Sequence, residues 1–137
     1  MHLVPIPTTA EHVQGSAKHW VQFLPAIAKR SKEPVEELML KVLNHEVQVI
    51  LIWDDEAKEA LALLGVQYRL RDNARIGELV WLTGVAREAW QHLLSDLEKY
   101  LQHVGCVECR PLCRPGWSKL LKQHGYRMTH VVMEKKL

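Results

Sequence analysis

The sequence contains no apolar stretch that approaches the roughly 18 residues needed to span a bilayer. Its first residues, MHLVPIPTTAEH, lack the charged start and the apolar core of a secretory signal peptide. We therefore expect a cytoplasmic protein that does not associate with membranes. The formal net charge is only +2, which argues against the strongly basic surface of nucleic-acid-binding domains.

Cysteine is also scarce, and the count of three is odd. An odd count in a cytoplasmic protein argues against a disulfide framework. His103, Cys106, Cys109 and Cys113 together have the residue types of a zinc site. However, a strand is predicted over 107–112, and alternation along it points the first two cysteines to opposite faces. We therefore predict buried thiols and no metal site.

What the sequence does contain is typical of a soluble globular domain: 47% hydrophobic and 25% charged residues in a chain of 137. This length suits a single domain spanning 1–137. Hydrophobic periodicity predicts the order α-α-β-β-β-α-β-α-β. The predicted helices cover about 9–31, 34–45, the stretch between Gly84 and Gly105, and 116–124; the predicted strands cover 47–53, 60–70, 75–83, 107–112 and 126–136.

That order resembles the fold of the GNAT superfamily of N-acetyltransferases. Residues 79–137 carry the resemblance, and LLKQHGY near their end is similar to the family's Y-x-x-x-G-F/Y pattern. More narrowly, GCVECRPLCRPGWSKLLKQHGY followed by MEKKL is similar to small GNAT-like proteins encoded by bacteriophages. The resemblance implies an α+β fold, with a mixed, mostly antiparallel sheet flanked by helices.

The family holds acetyl-CoA with an R/Q-x-x-G-x-G/A loop, whose amides and following helix N-terminus bind the pyrophosphate. The corresponding stretch here is LTGVAREA, in which only Gly84 matches. Val85 and Ala86 add side chains where a ligand must approach the backbone closely. If acetyl-CoA binds, the resemblance implies contacts from Gly84, Val85, Ala86, Arg87, Arg114 and Lys119.

The proton-transfer groups of the family are only partly present. Many GNAT enzymes use a tyrosine four residues before the helix-ending glycine as general acid, and that position is Leu121 here. Tyr126 and Tyr100 remain as candidates, and core packing is favoured for Tyr100.

The general base of the family is often a glutamate on the strand before the loop, where Glu78 stands. Strand alternation places Glu78 on one face, with Gly77, Leu79 and Trp81 on the other. Glu78 is then either a catalytic base facing a cleft or an ordinary solvent-facing residue, and the second is favoured.

Five tryptophans are present, and most are expected in the core. Trp20 and Trp53 are predicted either as core residues or as anchors of a protein interface.

Two functions from different classes remain open. The first is a non-catalytic, phage-encoded virion structural or assembly protein, which binds other protein chains, needs no cofactor and resides in the host cytoplasm or the virion. The alternative is an acetyl-CoA-dependent N-acetyltransferase, in which Glu78 or a water removes a proton from the attacking amine. The missing glycines and Leu121 favour the first, while a homo-oligomer and a host-directed regulator also stay open.

Overall fold

A computed structural model describes residues 1–85 and 87–137, with the main chain alone at Arg87 and Ala89. The strands are β1 (His2–Pro5), β2 (Gln48–Asp54), β3 (Glu59–Arg71), β4 (Ala74–Gly84) and β5 (Cys106–Pro111). The helices are α1 (Ala10–Gly15), α2 (Ala17–Trp20), α3 (Leu24–Ser31), α4 (Val35–Leu43), α5 (Arg87–Trp90), α6 (Leu94–His103) and α7 (Ser118–Gln123). Short 3₁₀ turns lie at Val21–Phe23, Gln91–Leu93 and Pro115–Trp117.

The five strands form one sheet in the order β1-β2-β3-β4-β5. Every neighbouring pair is antiparallel except β4 and β5, which run parallel. Asp72 and Asn73, both with positive φ, form the two-residue connection between β3 and β4, as a type I′ hairpin turn requires. The predicted α+β fold, with a mixed and mostly antiparallel sheet flanked by helices, is confirmed.

Each face of the sheet packs against its own set of helices. Helices α1 to α4 cover one face through buried residues that include Val13, Trp20, Leu24, Ile27, Leu38 and Val42. The segment from α5 to α7 covers the other face through Trp90, Leu94, Leu97, Leu101, Trp117 and Leu121. Within the described ranges, no helix combines the length and apolar character that crossing a bilayer requires.

A bulge at Val80 changes the alternation of β4. The register steps from Trp81 opposite Gly65 to Leu79 opposite the next residue of β3, which leaves Val80 without a partner in that ladder. Trp81 therefore joins Val80 on the α1–α4 face, while Leu79 packs on the α5–α7 face. The prediction that Trp81 and Leu79 share a face is wrong for this reason. A Cβ at Gly65 would lie 2.7 Å from the Trp81 ring, so this glycine gives the indole room.

The two ends of the predicted order also differ from the structure. Residues 126–137 form no strand, so the predicted last strand is wrong. Its apolar residues Val131, Val132 and Met133 are consecutive, and such a run lacks the alternation that assigns a strand one buried face. Strand β1 has only four residues, too few to show a period.

Two predicted helices are each interrupted by a 3₁₀ turn. The helix between Gly84 and Gly105 becomes α5 and α6, which bury Trp90, Leu94, Leu97 and Leu101. The helix predicted over 9–31 becomes α1, α2 and α3. Pro25 lies in the first turn of α3, where a missing N–H leaves no helical hydrogen bond unmade.

Candidate functional site

Gly84 ends β4 in tight contact with β3. A Cβ at this position would lie 2.3 Å from the Cβ of Ala62, 2.5 Å from its Cα and 2.6 Å from the carbonyl oxygen of Leu61. The last two of these atoms belong to the main chain of a central strand, which cannot move aside as a flexible side chain can. The packing of β4 on β3 therefore requires a glycine here, whether or not a ligand binds.

The main-chain groups of Val85 are bonded inside the protein. Its amide donates to the carbonyl oxygen of Leu61 at 2.9 Å, and its carbonyl oxygen accepts from the indole nitrogen of Trp90 at 2.7 Å. The amide and the carbonyl of Val85 are therefore both bonded within the protein, and neither is free to bind a ligand. Ala86 and the side chain of Arg87, both predicted cofactor contacts, lie outside the described residues.

The helix that follows this turn is also short. Helix α5 contains four residues, Arg87–Trp90, before the chain tightens into a 3₁₀ turn. A helix of one turn aligns few peptide dipoles, so little positive potential accumulates at its N-terminus.

An opening separates the second half of β4 from the chain that follows β5. The parallel ladder ends where Leu79 pairs with Pro111, and the last bond joins the Leu112 amide to the Leu79 carbonyl at 2.9 Å. Beyond it, residues 112–117 leave β4, and a groove of about 550 Å³ lies between the two segments. A second cavity of about 300 Å³ extends from Leu82 to Gly84.

Arg30 and Arg114 line both cavities. Arg30 comes from α3, and its Nη2 donates to the carbonyl oxygen of Leu82 at 3.4 Å. Partial burial and the neighbouring Arg114 lower the pKa of the Arg30 guanidinium. Among the described residues, no carboxylate forms an ion pair with either arginine. Arg114 was predicted from the resemblance, whereas Arg30 was not predicted.

Glu78 is buried rather than solvent-facing, with 5% of the residue exposed. Its Oε1 lies 3.2 Å from Nη1 of Arg69 on β3, and its Oε2 lies 3.9 Å from Nη1 of Arg110 on β5. The favoured prediction for this residue is therefore wrong, because the two neighbouring strands supply cations that make burial of the carboxylate tolerable. As far as the described residues define them, the walls of the two cavities do not include Glu78.

Solved structures match this architecture over its whole length, although no protein-family model and no curated protein matches the sequence. A ribosomal-protein-alanine N-acetyltransferase from Brucella melitensis is 8% identical, with 100% of both chains covered and a TM-score of 0.68. An aminoglycoside antibiotic 6'-N-acetyltransferase from Acinetobacter haemolyticus is 16% identical, covering 100% of this chain and 99% of that one at a TM-score of 0.65. The chain has the GNAT acetyltransferase fold.

A solved structure of a transcriptional regulator from Bacillus halodurans matches the same architecture. It is 13% identical, covers 99% of this chain and 100% of that one, and has a TM-score of 0.65. Identities this low show the fold alone. Function therefore depends on the residues at the opening of this GNAT fold.

Tyr126, the second predicted catalytic residue, lies on the α6 side of this GNAT fold. Its hydroxyl donates to Oε2 of Glu98 at 3.2 Å. Burial, followed by the contact with Cys109, raises its pKa well above the usual range, so the hydroxyl is a poorer proton donor than a free tyrosine. Lys119 is exposed on α7, and the described cavity walls include neither Tyr126 nor Lys119.

The two tryptophans predicted as core or interface residues differ in exposure. Trp20 is 1% exposed, and its indole nitrogen donates to the carbonyl oxygen of Val13 at 3.2 Å. Trp20 therefore belongs to the core and offers no surface to a partner. Trp53 is half-buried, with the ring of His19 edge-on at 5.0 Å, and its interface role stays a prediction.

The three cysteines are free thiols. A register step leaves Val107 without a partner in β5, so Cys106 and Cys109 both pack on the α5–α7 core. The prediction that these two point to opposite faces is wrong because of this step. Cys113, beyond the strand, is exposed, so it does not bear out the prediction of a buried thiol. The described residues place no three His, Cys, Asp or Glu side chains together as metal ligands.

Proposed function

We propose that this GNAT-fold protein acts by binding other protein chains and transfers no acetyl group. The inward bonding of Val85 is the observation that carries the proposal. An amide that already donates to Leu61 reaches a phosphate only if the end of the β3–β4 ladder opens. Gly84 does not argue for a phosphate cradle, because strand packing by itself requires a glycine there.

The proton-transfer residues support the same conclusion. Leu121 occupies the position where the resemblance places a tyrosine, and its side chain is buried in the core. Both carboxylate oxygens of Glu78 face guanidinium groups, so the candidate base lacks a free oxygen directed at a substrate. The hydroxyl of Tyr126 is engaged by Glu98. No cofactor is therefore needed for the proposed role.

The partner is a protein. Residues 126–137 form no strand and expose a run of apolar side chains, with Val132 94% and Met133 89% exposed. Contiguous apolar surface of this kind marks interaction sites in folded proteins. The narrower resemblance to phage-encoded proteins favours a virion or its assembly as the setting, with virion proteins as partners and the host cytoplasm as the place of assembly.

Isothermal titration calorimetry with acetyl-CoA tests the proposal directly. We expect no heat of binding, and no free thiol released from acetyl-CoA in the presence of a broad panel of amines. A cooperative thermal melt on the same sample shows that a missing signal does not come from unfolded protein. Saturable micromolar binding of acetyl-CoA would refute the proposed function.

Acetyl transfer is the second candidate, and the opening between β4 and the chain that follows β5 favours it. The solved N-acetyltransferases share this fold at full coverage, and Arg114 supplies a cation beside the opening. In that case acetyl-CoA binds there, Arg114 contacts a phosphate, and Glu78 or a water removes a proton from the attacking amine.

A further inference from the structure

We propose that Arg30 and Arg114 form a binding site for the carboxylate of an extended peptide that enters the opening beside β4. The proposal rests on the proposed protein-binding role and names the chemistry that such a partner presents. Its three supports are the two arginines, the rim of β4 beyond its pairing with β5, and the charged residues along the groove.

The two guanidinium groups converge from separate parts of the chain. Arg30 lies at the end of α3 and Arg114 lies between β5 and α7, yet both line the same two cavities. Two like charges held close together without a carboxylate partner repel each other, and an anion that binds between them removes this repulsion. A carboxylate fits the planar, two-pronged donor geometry of arginine well.

The rim of β4 at this place is suited to an extended chain. Because the Val85 amide bonds to β3, alternation in an antiparallel ladder directs the main-chain groups of Leu82 and Gly84 toward the opening. The bond from Arg30 to the Leu82 carbonyl agrees with that direction. Extended peptides add to exposed strand rims through main-chain hydrogen bonds. A peptide at this rim would replace the bond from Arg30 to the Leu82 carbonyl and would leave the Arg30 guanidinium to its carboxylate.

The remaining walls favour a ligand with a single negative charge. Val47 and Trp117 provide apolar walls, and Glu33, Lys41 and Glu46 line the same groove. Lys41 is paired with Glu33 at 2.9 Å, so it is less available to an anion than the two arginines are. A ligand that carries several phosphates would also meet Glu46, whereas a peptide with one carboxylate needs only the two arginines.

Tryptophan fluorescence provides the assay, because Trp81 and Trp117 line the groove. The probes are three N-acetylated pentapeptide pools randomised over alanine, serine, leucine and valine. The first has a free C-terminal carboxylate, the second is C-terminally amidated, and the third is amidated with glutamate at the last position. We expect the first or third pool to bind at least about tenfold more tightly than the second, and which of the two binds tells a terminal from a side-chain carboxylate.

The variants R30Q and R114Q are each expected to weaken that binding about tenfold. R30K should not retain the full peptide affinity, since lysine lacks the two parallel N–H donors of a guanidinium group. K18Q removes one positive charge at an exposed position on α2 that lines neither cavity and should bind as the unaltered protein does. Thermal melts of all variants exclude unfolding as the cause.

Equal binding of all three pools, unaltered binding by R30Q and R114Q, or no binding of any pool would each overturn the inference. Acetyl-CoA is titrated in parallel to separate the two proposals. Failure of the peptide pools without acetyl-CoA binding overturns this inference alone and leaves the proposed function standing. Acetyl-CoA binding that R30Q abolishes overturns both.

Discussion

Replacing Gly84 with alanine tests whether this glycine is required by strand packing or by a ligand. The added methyl would overlap with Ala62 and with the Leu61 carbonyl at 2.3–2.6 Å, and relief requires β4 to move away from β3. Overpacking of this kind costs about 3 kcal/mol, which in a domain of this size lowers the melting temperature by roughly 10 °C. Urea unfolding and a thermal melt measure both values.

Gly15 provides the matched control, because a Cβ at this helical position meets no atom within 4 Å. G15A should be neutral or slightly stabilising, since alanine is the better helix former. If G84A is as stable as G15A, the close approach of the two strands is wrong. If it is that stable and also loses acetyl-CoA binding, the glycine serves a cofactor and the proposed function falls.

Three further changes test the surroundings of the turn and the sheet. W90F keeps an aromatic ring but removes the indole donor to the turn and part of the buried volume, and should lower the free energy of unfolding by at least about 1–2 kcal/mol in urea titrations; an unchanged value would refute that hydrogen bond. E78Q should cost about 1–3 kcal/mol, whereas E108Q, at a solvent-exposed pair, should cost less than about 1 kcal/mol. Burial raises the pKa of Cys109 to about 11 from 9.0 for a free thiol. The neutral thiol therefore contributes its full stabilisation below pH 9. As the pH rises from 9 to about 11, the free energy of unfolding falls by roughly 2–3 kcal/mol. C109A should reduce this fall when unfolding is measured across that pH range.

The elements with a clear hydrophobic period could be predicted from the sequence. Helix α4 repeats its apolar residues at helical spacing, and the strands of the β2–β4 meander are separated by short polar turns, so element type and order follow. Register steps of a single residue could not be predicted in the same way. The unpaired Val80 and Val107 each reverse the alternation of a strand, and no local signal in the sequence marks either one.

At the candidate site, too, some features are visible in the sequence and others depend on the folded chain. The lack of glycines after Gly84 is visible in the sequence, because the turn is a contiguous stretch. Arg30 lies 52 positions before Leu82, whose carbonyl it contacts, and only the folded chain brings the two together. Nothing distinguishes Arg30 from the other cations of KRSK at the end of α3. The inward bonds of Val85 likewise depend on β3 and on an indole five residues away.

The contact between Gly65 and Trp81 constrains the order in which substitutions can accumulate. A side chain at position 65 would collide with the indole at 2.7 Å and with the Cβ of Trp81 at 2.9 Å. A smaller residue at position 81 removes the first of these contacts and keeps the second, so a change at 65 is less harmful after a change at 81 than before it. A lineage that replaces this glycine therefore needs a reduced side chain at 81 and a small shift of β4 against β3.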